Sequence, residues 1–519
     1  MAFAAADTYD RAAMQAAAAP LPASHHAVSR IAMALRVGLA IWSAIYVLMY
    51  LGIALARLRY PFELEWMEGA TVDHLRRCVA GEPLYVAPSL EFVPFVYTPL
   101  FYYVGALIAR FTGTGFVALR SLSLLASLGC FACIGGTVWR QSSSRWSAWM
   151  AVGFFAATFR ASGAWLDLAR VDSLFLFFLL TAICSLGGHR RPAMIILSAG
   201  LLALAFFTKQ ATAVACLPLL LVLWLDSWRA VSLFVFTLLG LVAAVSFWLN
   251  SASAGWFAYY VFILPRRHQI NLTELSGFWL NDVLWLLAPA LSIMVVYLFR
   301  QIRSPHWRTC VLPGAVSAGG LLSAWLGRLH SGGYDNVLLP AYATLAVLFG
   351  AALAALEAER PRHDRRTIFV YLLCAAQLAW LVYDPRAQIP GAADLRTGQD
   401  LIRRIAALPG EVLMPSHGYL PALAGKRTSA YEMAIYDVLR ADDGPASRHL
   451  RQEISEAIRS RRFAAIVLDT PTYEFDLDVR DGYGPPRRLL SAADGFWPVT
   501  GLRTRPELLY LPRPGRLAK

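Results

Sequence analysis

Residues 60–103, YPFELEWMEGATVDHLRRCVAGEPLYVAPSLEFVPFVYTPLFYY, decide how this chain is read. The stretch lies between two long apolar segments, yet it is neither apolar nor low in complexity. It holds Glu63, Glu65, Glu68, Asp73, Glu82 and Glu91 together with Trp66, Tyr85, Tyr97, Tyr102 and Tyr103. A connection that only joined two membrane helices needs about five residues. One that is several times longer and rich in acid, aromatic and proline residues marks a site, and the rest of the chain reads as its scaffold.

The surroundings support that reading. The chain has 519 residues, of which 57% are hydrophobic and only 16% charged, against roughly 25% charged in a soluble domain. Its mean hydropathy is positive. The apolar residues come in long runs separated by short basic patches, the pattern of a polytopic α-helical membrane protein. Candidate spans are 31–56, 97–112, 119–139, 146–163, 165–187, 192–208, 210–226, 229–250, 279–300, 309–327, 336–356 and 366–383, or about 11–13 transmembrane helices at the ~20 residues a crossing needs. An even count would return the C-terminus to the side of the N-terminus.

Residues 1–30 read as a disordered cytoplasmic tail, 31–385 as the membrane domain, and 57–96 as its large first extracytoplasmic loop. The run 31–56 is too long for a signal-peptide core and reads as an uncleaved first span. From 391 to 519 the apolar runs shorten. Segments 411–415 (EVLMP) and 463–469 (FAAIVLD) read as strands, and 401–408 and 447–460 as amphipathic helices, giving a small soluble α/β domain.

The formal charge of +13 is carried by arginine; the only lysines are Lys209, Lys426 and Lys519. The basic excess suits lipid headgroups and cytoplasmic loops. Nucleic acid is excluded as a partner, because no basic stripe is interleaved with exposed aromatics on a soluble domain. Cys130 and Cys133 form a CxxC inside an apolar run, where packing explains them better than metal or redox chemistry. Phosphate loops, dinucleotide fingerprints, HExxH and nucleophile elbows are absent.

Several residues could carry chemistry. Helical spacing over 64–80 puts Glu65 and Glu68 on one face, with Gly81 ending the helix and Pro83 beyond it. A shielded carboxylate there can act as a general base; a solvated acidic loop is the plainer alternative. Tyr97 and Tyr102 could stack on a sugar or simply form an interfacial belt. Arg170 and Asp172 beside a very apolar run are costly unless paired or functional. Lys209, with Gln210 next to it, is either a snorkelling helix end or a cation for phosphate. Arg266 and Arg267 can grip a phosphate in bidentate fashion or serve as a topological basic patch. Tyr334 and Asn336 could bind a sugar or headgroup, while capping by Asp335 or Asn336 is the simpler reading.

Taken in order, Glu65/Glu68, Gly81-Glu82-Pro83-Leu84-Tyr85, Tyr97-Thr98-Pro99-Leu100, Arg170-Val171-Asp172, Thr208-Lys209-Gln210 and Asn336 with Pro340 beyond resemble the GT-C superfamily of membrane glycosyltransferases. The likeness is to the Rgt-like, aminoarabinose-transferase and protein O-mannosyltransferase branch, and it covers about residues 40–350. Many of those relatives carry Asp-Glu in the loop where this chain has Met67-Glu68, so the acid is Glu68 or Glu65.

The resemblance implies an integral protein of the bacterial inner (cytoplasmic) membrane with its active site on the extracytoplasmic side. It implies transfer, with inversion, from a polyprenyl-phosphate-linked sugar donor to a lipid or glycan acceptor. The implied base is a loop Glu. Lys209, Arg266 and Arg267 would balance the lipid phosphate, and Tyr97, Tyr102, Arg170, Asp172, Gln210, Tyr334 and Asn336 would line the substrate site. No cofactor is implied; a divalent metal is compatible with the acidic loop but not required. The competing readings are a transporter or flippase of a lipid-linked intermediate, which would place its polar groups near the midplane of broken helices, and a catalytically degenerate relative acting as a binding subunit.

Overall fold

The computed structural model describes residues 23–187, 190–358, 365–441, 444–471, 479–491 and 494–513, with side chains from Val28 onward. The expected tail therefore lies largely outside the described residues, except that helix α1 (Ala23–Leu58) already begins at Ala23.

Among the described residues, six helices are long and apolar enough to cross a membrane. In chain order the helical elements are α1, α2 (Glu68–Ala80), α3 (Leu100–Thr112), α4 (Phe116–Ser142), α5 (Arg145–Ala157), α6 (Asp172–Leu186), α7 (Pro192–Phe206), the short pair α8 (Thr212–Ala215) and α9 (Leu219–Trp224), α10 (Trp228–Ala252), α11 (Glu274–Ile302), α12 (Arg308–Leu329), α13 (Asp335–Ala358) and α14 (Arg365–Trp380). Helix α13 is apolar on every side and buried along nearly all its length, which makes it the central post of the bundle. Pro218 separates α8 from α9, and α11 combines a π-helical stretch with a kink at Leu287 before Pro289.

One expected span is corrected. Helix α3, within the 97–112 candidate, does not cross. The amide of Leu100 is bonded to the Phe207 carbonyl at the C-terminal end of α7 (2.8 Å). At its other end the chain turns straight into α4, where Phe116 stacks edge-on with Tyr419 of the C-terminal domain. Both ends of α3 thus sit at the loop end of the bundle. Removing this span makes the count odd. The start of α1, where Arg36 pairs with Glu357 and Tyr371, is accordingly at the opposite end of the bundle from the C-terminal domain.

A second correction concerns 146–187, which the sequence divides into two full spans. Residues 158–171 are instead a buried run of turns between α5 and α6. Buried irregular backbone needs its polar groups met by protein. Here they are: Arg57 bonds the Ala164 carbonyl (3.0 Å), Thr71 the Ala169 carbonyl (2.6 Å), and Ser123 the Arg170 carbonyl (3.3 Å). Asp167, Arg170 and Asp172 are carried to the site by this segment.

After α14 comes the small domain: α15 (Ala392–Ala407), β1 (Val412–Leu413), α16 (Glu432–Ala441), α17 (Pro445–Arg459), β2 (Ala465–Leu468), β3 (Arg487–Arg488) and β4 (Leu508–Tyr510). The sheet order is β1-β2-β4-β3. β1 and β2 are parallel, with Val412 opposite Ala465, and α17 lies in the crossover that such a pair requires. β4 pairs antiparallel with both β2 and β3. The domain shares a hydrophobic core with the loop: Phe62 packs edge-on against Phe496, and the Leu90 carbonyl accepts from the Ala430 amide (2.9 Å).

Candidate active site

The loop begins with an anchor. Arg120, near the start of α4, is fully buried and uses every guanidinium hydrogen. Nε and Nη2 donate to the two oxygens of Glu68 (3.1 and 2.6 Å), and the remaining donors reach the carbonyls of Arg57, Tyr60 and Phe62. Glu68 also accepts from the amides of Leu64 (2.7 Å) and Ala169 (2.6 Å). Burial opposes its ionisation, but Arg120 and the two amides outweigh that and hold the carboxyl below its usual range. With four donors on two oxygens, Glu68 has no lone pair left for a substrate hydroxyl. It ties the loop to the buried turn, and the catalytic expectation narrows to Glu65. Helix α2 starts at Glu68 rather than at residue 64 and ends, as the sequence indicates, at Gly81 in the left-handed region (φ 73°).

Glu65 lies three residues earlier in a different setting. Its Oε2 accepts from Nη1 of Arg170 (2.9 Å), and both side chains are buried. Burial and the nearby charge of Glu68 push its proton affinity up, to a pKa of about 7, despite the opposing pull of Arg170. Arg170 continues through Nη2 to the hydroxyl of Tyr97 (3.1 Å). On its other side Asp172 Oδ1 accepts from Lys209 Nζ (2.6 Å) and from Asn336 Nδ2 (3.0 Å). Tyr102 lies within electrostatic reach of Tyr97, Arg170 and Asp172. Arg170 Nε, Asp172 Oδ2 and Tyr102 Oη are buried polar atoms without a hydrogen-bond partner. Such atoms are rare in a folded chain, and these three belong to one cluster. Glu65, Tyr97, Tyr102, Arg170, Asp172, Lys209 and Asn336 are therefore brought together.

Of the other candidates, Tyr334 borders the cluster through Gly501, which packs against Glu65, and the rest stand apart. Gln210 braces the backbone, donating to the carbonyls of Val96 (2.6 Å) and Val261 (3.3 Å). Tyr334 is at the rim, its hydroxyl on the Gly501 carbonyl (3.0 Å). Arg266 and Arg267 are exposed on a short turn following the segment that Gln210 braces. His74, buried between Phe95 and Tyr102, accepts from the Phe95 amide and is driven down to a pKa of about 4 by burial, so it is a neutral structural ring. Among the described residues no group of three or more His, Cys, Asp or Glu side chains is arranged to hold a metal.

Two contributions escaped the sequence reading. One is Arg120, which the cost of a charge in an apolar run could have flagged as it flagged Arg170. The other is the junction with the C-terminal domain. His417 Nδ1 is 2.6 Å from Glu63 Oε2, and its Nε2 is 3.1 Å from Asp469 Oδ2; Tyr431 donates to the other oxygen of Glu63. Burial works against a charged ring, but the two carboxylates prevail and raise His417 to a pKa of about 10. No local signal ties Glu63 to residues some 350 positions away.

No family model matches the sequence, and no curated protein is similar to it. Solved structures are. ArnT from Cupriavidus metallidurans bound to undecaprenyl phosphate superposes with a TM-score of 0.57 at 13% identity, over 90% of this chain and 97% of that one. The same protein in its apo state gives 0.56 at 12% identity over the same shares. The archaeal oligosaccharyltransferase AglB from Archaeoglobus fulgidus, in complex with an inhibitory peptide and a dolichol-phosphate, gives 0.50 at 11% identity, over 87% and 73%. At such identities the likeness is one of fold, and it extends through the membrane bundle into the C-terminal domain: the chain is an integral membrane protein with the GT-C fold.

Proposed function

We propose that the chain is a membrane glycosyltransferase that moves a sugar from a polyprenyl-phosphate-linked donor to an acceptor hydroxyl, with inversion, and that Glu65 is the general base. The observation that carries this reading is the state of Glu65. It is a buried carboxylate poised near neutral pH, three residues from a second carboxylate that is fully spent, and it adjoins a cluster bearing Arg170 and Lys209. A base poised near the working pH is what proton abstraction needs. The solved structures of the same fold, in complex with undecaprenyl phosphate and dolichol-phosphate, support the choice of donor.

In this mechanism Glu65 takes the proton of the acceptor hydroxyl as that oxygen attacks the anomeric carbon. The bond from that carbon to the phosphate oxygen breaks, and polyprenyl phosphate leaves with its electron pair. Lys209 and Arg170 oppose the charge that builds on the phosphate, with Arg266 and Arg267 guiding the headgroup from the rim. To meet it, Lys209 exchanges Asp172 for the phosphate, and Asn336 keeps Asp172 in place. Charge is neutralised by side chains alone in this scheme. The positive-inside rule assigns the end bearing Arg140, Arg145, Arg190, Arg300 and Arg303 to the cytoplasm. The site then faces the extracytoplasmic side, in a bacterial inner membrane.

The test is reconstitution of the full-length protein in nanodiscs with polyprenyl-phosphate-linked sugars. Transfer to an added glycan, or hydrolysis at a slower rate, is the expected outcome. Movement of the donor across vesicles with no bond broken would replace this reading with a transporter.

A further inference from the structure

The seam between the loop and the C-terminal domain encloses a cavity of about 110 Å³ that the mechanism above does not use. Trp66, Ser416, Glu432, Tyr436, Asp469 and Thr504 are among the residues that line it. Two of its lining residues adjoin the candidate base along the chain. Trp66 directly follows Glu65, and Leu502, also in the lining, directly follows Gly501. Gly501 has φ +80°, and a Cβ there would stand 2.8 Å from Cγ of Glu65 and 3.2 Å from its Oε1. The chain thus passes Glu65 in van der Waals contact and runs on into the cavity.

The chemistry of the lining is one-sided. It offers two aromatic rings, three aliphatic hydroxyls and two carboxylates, and among the described residues lining it there is no lysine or arginine. The cation behind it, His417, is held between Glu63 and Asp469, so its charge is already matched. Ser416 donates to Glu432, and Thr504 to Asp469, which fixes both carboxylates in place. Carboxylates accept from hydroxyls, and aromatic faces cover the C–H face of a sugar ring. A phosphate or a carboxylate brought here would meet like charge.

We propose that this cavity is the acceptor subsite and that it takes a neutral, hydroxyl-rich sugar unit. The ring lies against Trp66, hydroxyls donate to Glu432 and Asp469, and one further hydroxyl is presented to Glu65. The direction of transfer rests on the glycosyltransferase reading; binding of the sugar can be measured without it.

The experiment is binding of the full-length protein in nanodiscs to an array of neutral oligosaccharides and to the same oligosaccharides carrying phosphate monoesters. Neutral glycans are expected to bind, and their phosphorylated forms at least tenfold more weakly. Trp66→Ala and Glu432→Gln should each weaken binding at least tenfold, while Trp66→Phe keeps most of it, which shows that the fold is intact. A preference for phosphorylated glycans, unchanged binding in both variants, or no binding of any neutral glycan would overturn the subsite. Binding without any sugar transfer from a polyprenyl-phosphate donor would sink the glycosyltransferase reading and leave the subsite standing. Transfer with an acceptor KM that neither variant moves would remove the subsite alone.

Discussion

Two regions of one loop put the same side chain to opposite uses. Around Arg120, Glu68 is locked by four donors and kept ionised. Around Arg170, Glu65 has that guanidinium and one backbone donor, Met67, an elevated proton affinity and buried, unpartnered atoms among its neighbours. Both carboxylates are buried, both face an arginine, and they are three residues apart. Burial and charge pairing are therefore shared by the two; what separates them is the number of donors each oxygen receives. A saturated carboxylate is a strut, and an unsaturated one keeps capacity for a substrate proton.

The sharpest way to break this comparison is to remove one carboxylate at a time. Glu65→Gln should leave a folded, membrane-inserted protein whose kcat falls by about 10²–10⁴, read from sugar transfer by the reconstituted protein. Glu68→Gln should do the reverse, because a neutral amide cannot accept from Arg120 and from both backbone amides at once, whereas in Glu65→Gln the guanidinium of Arg170 keeps Tyr97 and the nearby charge of Asp172. Breaking a buried pair costs about 3–5 kcal/mol, so the measured quantity is the yield of monodisperse protein on size exclusion. Full transfer by Glu65→Gln, or normal folding of Glu68→Gln with no transfer, would exchange the two roles.

A smaller effect sharpens the cationic side. Lys209→Ala should raise the donor KM or lower kcat/KM by about 10–100-fold, the worth of a hydrogen bond to a charged group, with acceptor KM unmoved. Lys209→Arg should recover part of it. The proton affinity of Glu65 gives a further test with a definite sign. The base is the ionised form, so kcat/KM should climb as pH rises through about 7 and level off above it. A profile that is flat from pH 6 to 9 would show that no group of this affinity limits the reaction.

The fold and part of the site could be read in the sequence, for reasons that differ by residue. The spans were visible because about 20 apolar residues in a row have few other uses, and the strands flanking α17 because period and turn residues agree. Arg170, Asp172 and Lys209 were visible because charges beside apolar runs are expensive. What was not legible is anything decided by the third dimension. Length and composition alone cannot tell α3, which lies at one end of the bundle, from a short crossing. Helical spacing puts Glu65 and Glu68 on one face, yet the helix begins only at Glu68, and Arg120 takes one carboxylate and not the other. The docking of Glu63 on His417 joins residues that no local pattern relates.

Glu63 extends the comparison to a third acid and supplies its gentlest test. If the loop divides its labour, with Glu68 anchoring, Glu65 reacting and Glu63 holding the C-terminal domain, then untying Glu63 should loosen the domain without moving the proton affinity of the base. His417→Ala should raise the acceptor KM several-fold, through the segment from Gly501 to Thr504 that touches Glu65 and Asp469, and leave the rise of kcat/KM near pH 7 where it was. The pH dependence of the junction itself has the opposite sign. His417 binds its proton more tightly folded, at about 10, than its free value of 6.5, so its stabilisation is complete below about 6.5 and is lost as pH climbs through 10. Limited proteolysis between the membrane bundle and the domain should therefore quicken toward pH 10 in the native protein, and be fast and flat with pH in His417→Ala. A junction that is equally resistant in both would mean that the apolar contact of Phe62 with Phe496 holds the domain unaided, and the third acid would then have no separate task.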